Sequence, residues 1–115
     1  MKRFLAVYIG TEAGIGDWNT LSDAERQQRE KTGIAAWKQW VETNQHAIVE
    51  VGAPLGKTLS ASKRGIGKIR NQLTGFTVVQ AESHEQAAKL FEGHPHFTLF
   101  PGDSIEIMEC LPIPA

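Results

Sequence analysis

Two imidazoles separated by a single proline, His94-Pro95-His96, are the side chains in this sequence best suited to do chemistry. A neutral imidazole has an unperturbed pKa near 6.5, so either ring could act as acid, base or ligand at cellular pH. Each needs an orienting partner, and Glu106, Asp103 or Asp17 could supply one. His94 and His96 are therefore the candidate catalytic residues, with Trp18, Trp37 and Glu106 as candidate binding residues. The competing role is structural: the two rings cap a helix end and fill a loop. As a metal site the pair would need a third donor, such as His46 or Glu106, and usual sites have three or four ligands, so no metal is assigned. Gly65-Ile66-Gly67 by itself is too weak to mark a phosphate loop, and no cofactor is expected. His84, in the first turn of a helix, is expected to be solvated, and Trp37 and Trp40 to anchor a core or an interface. Cys110 has no histidine beside it in sequence and is expected to be a buried, inert thiol.

These residues sit in a chain of 115 amino acids, enough for one domain, residues 1–115, with one real core. Hydrophobic residues at 41% and charged residues at 22% are globular values. Twelve Lys and Arg against thirteen Asp and Glu leave no positive excess to displace counterions from a phosphate backbone, so no nucleic-acid partner is expected. The single cysteine excludes an internal disulfide and suits a reducing compartment. The apolar run after Met1-Lys2-Arg3 is too short to span a bilayer and reads as a first strand, so no membrane partner and a cytoplasmic location are expected.

The elements that must position the histidines follow from the hydrophobic pattern. Phe4 to Ile9 is apolar at nearly every position, as a central strand is. Gly10 to Thr20 carries three glycines and no period and reads as a loop. Ser22 to Glu25 is a capping box opening a helix that runs to about Asn44, polar in its first half and docked through Ala36, Trp37, Trp40 and Val41. Gly33 lies between the halves, where it must permit a close approach or a bend. Ile48 to Leu59, broken by Gly52, Pro54 and Gly56, reads as a bulged edge strand. A basic hairpin turn follows at Lys63 to Lys68, its charges discouraging edge-to-edge association, with an anion-binding tip as the alternative. Phe76 to Ala81 reads as a second central strand, and Ser83 to Gln86 caps a short helix that Gly93 and Pro95 stop. Ile105 to Leu111 is the last strand.

The order β-α-β-β-α-β predicts an α+β, ferredoxin-like domain: a four-stranded antiparallel sheet with two helices on one face. The other face then exposes apolar strand residues, which predicts a homodimer of packed sheets.

Leu73-Thr74-Gly75-Phe76, Glu85-Gln86-Ala87-Ala88, Gly93-His94-Pro95-His96 and Ile105-Glu106-Ile107 resemble the YCII-related family, including its DGPF-type relatives. Trp37-Lys38-Gln39-Trp40 and Gly52-Ala53-Pro54-Leu55-Gly56 extend the likeness over most of the chain. The resemblance implies a dimeric α/β barrel and a group that includes small-molecule enzymes such as dehalogenating lyases. In such relatives a histidine of the first helix pairs with the aspartate of an Asp-Pro after the second. Here no histidine stands around Thr32 and Gly33, and His94 replaces the aspartate before Pro95, so that pair is not carried over.

Three functions remain open to the sequence. The first is a homodimer that binds a small organic molecule in a barrel cleft, with His94 and His96 at its mouth and acid-base elimination, isomerisation or cofactor-independent oxidation as the suited chemistry. The second is a non-catalytic accessory or sensor module. The third is a metal-dependent enzyme.

Overall fold

A computed structural model describes residues 1–114. Its sheet is built from β1 (Lys2–Ile9), β2 (Ile48–Pro54), β5 (Leu73–Ala81) and β6 (Ser104–Glu109), in the order β2-β5-β1-β6 and antiparallel throughout. The two runs that are apolar on both sides, β1 and β5, are the central pair, and the order is that of a ferredoxin-like split β-α-β unit. Alternation decides what each strand buries. Phe4, Ala6 and Tyr8 of β1 face the helices together with Val79 and Ala81 of β5. Phe4 and Val79 are wholly buried, each contributing about 1.5–3 kcal/mol of transfer free energy.

Helix α2 (Asp23–Thr43) begins where the Ser22 hydroxyl accepts the Glu25 amide proton at 3.1 Å, and α3 (His84–Lys89) begins in the same way at Ser83 and Gln86, 3.2 Å. These bonds satisfy amide donors that a helix start otherwise leaves orphaned. The first half of α2 is exposed apart from Arg26, while Trp37 and Trp40 pack on the core beside Phe91 and Leu90. The Trp40 indole Nε1 donates to the Leu90 carbonyl at 2.8 Å, fastening α2 to the end of α3. Gly33 is the one buried residue of α2, and a Cβ there would stand 2.6 Å from the Phe100 ring. Its role is close approach.

Several expectations require correction. The glycine-rich stretch after β1 is a helix, α1 (Glu12–Asn19), not a loop: the Thr11 hydroxyl caps it by accepting from the Gly14 amide at 3.1 Å, and the glycines hid its pattern. The long edge strand ends at Pro54. Beyond it, β3 (Thr58–Ser62) pairs with β4 (Gly65–Ile69) as a separate two-stranded arm. The proline that was to stop a helix also starts one, α4 (Pro95–Thr98), since a ring at the first helical position sacrifices no amide bond. Cys110 is exposed rather than buried, because β6 is an edge strand that ends one residue earlier. Among the described residues no helix is long and apolar enough to cross a membrane.

Candidate functional site

The short helix α4 separates the roles of the two histidines. His94 is its N-cap, with Nδ1 accepting the His96 amide proton at 3.0 Å. An accepting Nδ1 carries no proton, so the neutral ring holds its proton on Nε2. That Nε2 is buried without a partner. The ring is fully enclosed, 4.5 Å from Trp37, 4.7 Å from Trp40 and 5.4 Å from Tyr8 between centroids. Burial, with a smaller contribution from His96, lowers its pKa to about 4, so His94 is neutral near pH 7.

His96 points the other way. Its Nε2 lies 2.8 Å from the Ile9 carbonyl and must donate to it, so the lone pair of the neutral ring is on Nδ1. Burial lowers its pKa, opposed by backbone groups of Ile9 and Ser104 and by the Asp103 charge. The ring lies on Gly102, where any Cβ would stand 2.2 Å from the imidazole. Two distant segments thereby hold one ring. The end of β1 supplies a carbonyl, and the turn before β6 supplies a residue without a side chain.

His96 lines a cavity of about 370 Å³ together with Tyr8, Trp37, Phe100, Gly52 and Phe76. Ligand clefts span about 300–1,000 Å³ and are mainly apolar with a few fixed polar groups. Tyr8 adds rigidity to the floor. Its hydroxyl lies 2.6 Å from the Thr77 hydroxyl, which in turn donates to the Val51 carbonyl at 2.9 Å, so the tyrosine is the donor in the first bond. Burial raises the Tyr8 pKa to about 12, only partly offset by Thr77. It is a neutral, structural phenol at working pH.

The structure brings together two of the residues expected from sequence, His96 and Trp37. His94 lies 4.5 Å behind Trp37 and does not line the cavity. Trp18 sits on α1, 6.4 Å from Phe100, as an outer neighbour of the wall. Glu106 is exposed and pairs with Val7, on the sheet face opposite Ile105 and Ile107, so it cannot orient either histidine. Among the described residues neither His94 nor His96 hydrogen-bonds a carboxylate, and no three His, Cys, Asp or Glu side chains are grouped to hold a metal. His84 is exposed, yet it stacks on Phe4 at 5.4 Å and its Nε2 bonds the Ile107 carbonyl at 2.7 Å.

Tyr8, Phe100 and Gly102 were not singled out from sequence. For Phe100 the one available signal was Gly33, a glycine in mid-helix that permits either a close approach or a bend. For Tyr8 it was the strand alternation, which puts the phenol on the helix side.

Neither a family model nor a curated protein sequence matches the chain. Among solved structures, the chain is similar to 5-chloro-2-hydroxyhydroquinone dehydrochlorinase (TftG) from Burkholderia phenoliruptrix AC1100, in complex with 2,5-dihydroxybenzoquinone. The TM-score is 0.52 and the identity 20%, over 92% of this chain and 90% of that one. The likeness shows a shared α+β fold.

Proposed function

We propose that this chain is a YCII-related protein that binds a compact, largely apolar organic molecule, such as a substituted six-membered ring, in the cavity beside His96. The observation that carries the reading is one neutral imidazole, its lone pair on Nδ1, that lines the cavity beside the aromatic rings of Tyr8, Trp37 and Phe100. A cavity of about 150 Å³ holds benzene, so 370 Å³ leaves room for one ring with substituents. The dehydrochlorinase of similar fold, bound to a dihydroxybenzoquinone, supports this ligand class. In such a pocket His96 acts as the base: Nδ1 takes a proton from a ligand O–H or C–H, and the Ile9 carbonyl holds the Nε2 proton in place. The resulting imidazolium is favoured by the Asp103 charge. In an elimination the freed electron pair forms a new double bond and expels an anionic leaving group from the ligand, and in an isomerisation His96 returns the proton to another ligand atom. Two copies pair through the sheet faces that no helix covers.

A second reading, a binding or sensor module without turnover, is favoured by one observation: among the described residues neither imidazole hydrogen-bonds a carboxylate that would orient it.

The test is titration with a panel of hydroquinones and hydroxybenzoquinones, followed by Trp fluorescence, since Trp37 is part of the wall. Binding is expected, weakened about tenfold in His96→Gln through loss of one buried hydrogen bond. A panel that leaves both the fluorescence and the His96 ring resonances unmoved would sink the ligand class. Binding without product formation, unchanged from pH 6 to 8, would favour the sensor.

A further inference from the structure

The arm made by β3 and β4 has no buried residue. Residues 57–70 hold five basic side chains, Lys57, Lys63, Arg64, Lys68 and Arg70, and no acidic one, whereas the remaining residues hold seven basic and thirteen acidic. A protein near neutrality overall is thus divided into a cationic arm and an anionic body. The register of the hairpin places Leu59, Ala61, Ile66 and Lys68 on one face of the ribbon. Leu59 is 66% and Ile66 78% exposed, so the arm does not fold back onto its own sheet. A lone two-stranded ribbon is marginal in water and needs its apolar face covered.

The uncovered face of the sheet has the matching composition. Register aligns Glu50, Val78, Leu5 and Met108 in one row across β2, β5, β1 and β6, and Ala53, Phe76, Val7 and Glu106 in the next. Each row is apolar except for one carboxylate on an edge strand, Glu50 at one edge and Glu106 at the other. Both carboxylates are exposed. The arm offers an apolar strip with cations at its tip and flank, and this surface offers an apolar strip with anions at its rims. Five-residue strands reach roughly 17 Å, enough to cross from one body onto another.

We propose that the arm is a clamp that grips a second copy of this chain, its Leu59 and Ile66 face covering one edge of the partner's open sheet and its Lys63, Arg64 and Lys68 charges meeting the carboxylate at that edge, Glu50 or Glu106. The inference rests on the sheet pairing proposed above and adds what makes that pairing selective. Opposed charges at an interface rim set register and partner choice more than they set area.

The test is sedimentation equilibrium of the full chain at low and high salt. The wild type is expected to dimerise at micromolar concentration, less tightly as salt screens the rim. The variant Lys63→Glu, Arg64→Glu, Lys68→Glu is expected to dimerise about tenfold more weakly, as is Glu50→Lys, Glu106→Lys. An equimolar mixture of the two should recover association, because each now offers the charge the other needs. A charge-reversed arm that dimerises within about twofold of wild type, or a mixture that recovers nothing, overturns the clamp while leaving sheet pairing intact. A wild type that stays monomeric overturns both. All five substituted positions are solvent-exposed, so folding is preserved.

Discussion

His94→Ala is expected to lower the unfolding free energy by about 3 kcal/mol at pH 7.5, from the void left by a fully enclosed ring together with the loss of a helix cap. Urea denaturation should show it as a lower midpoint with an unchanged slope. The void is bounded by Trp37, Trp40, Tyr8 and Phe91, all of which touch the ring. The missing cap leaves the His96 amide without its acceptor. His94→Asn keeps a capping oxygen and should cost less. A loss for His94→Ala no larger than that for an exposed substitution would show that the ring is not needed for packing.

The same burial gives a pH dependence whose sign is fixed. Unfolded, His94 titrates near 6.5; folded, it titrates near 4, because burial penalises the cation. Between those values the unfolded chain binds the extra proton, so stability is full above about pH 6.5, falls as pH drops through the window and levels off below about 4. The total is about 3 kcal/mol for this shift. His96 is lowered in the same direction and adds to the slope. The difference between wild type and His94→Asn isolates the His94 part. A flat difference from pH 7 to 4 would mean that the ring is solvated. The orphaned Nε2 gives the ring no compensating bond when it charges, and so strengthens the effect.

How much of this was legible in the sequence depended on whether a signal was local. The doubly apolar runs gave the central strands β1 and β5, and the capping boxes at Ser22 and Ser83 gave the starts of α2 and α3. Gly33 implied a close approach or a bend; it is a close approach, and its neighbour, Phe100, lies 67 residues away where sequence could not identify it. Glu106 was a readable miss: an alternation that buries Ile105 and Ile107 necessarily turns Glu106 to the other face. The division of labour between His94 and His96 was not readable, because it depends on whether a helix starts at Pro95. With the helix present, the first ring becomes a cap and the second is thrown forward onto Gly102 and the Ile9 carbonyl. The arm and its charge were visible as a basic hairpin, whereas the carboxylates that complement it are arranged only by strand register.

Gly52→Ala is expected to damage both the sheet and the cavity, with a loss of roughly 3 kcal/mol. Gly52 has φ +80°, and a Cβ there would lie 1.8 Å from the Phe76 carbonyl oxygen. The clash is with backbone, so no side-chain rotation can relieve it. The residue occupies a bulge where β2 carries one more residue than β5 between Glu50 and Ala53, and such an extra residue needs a conformation that L side chains resist. Relief requires β2 to move away from β5. That motion pulls Val51, whose carbonyl anchors the Thr77 hydroxyl and, through it, the Tyr8 phenol in the cavity floor. Ligand binding should therefore fall along with stability, although Gly52 offers a ligand no side chain. Gly56→Ala, with open space at its Cβ, is the matched control and should change neither. If Gly52→Ala unfolds at the wild-type urea concentration, the bulge is not rigid; if it is destabilised yet binds normally, the cavity floor is held independently of β2.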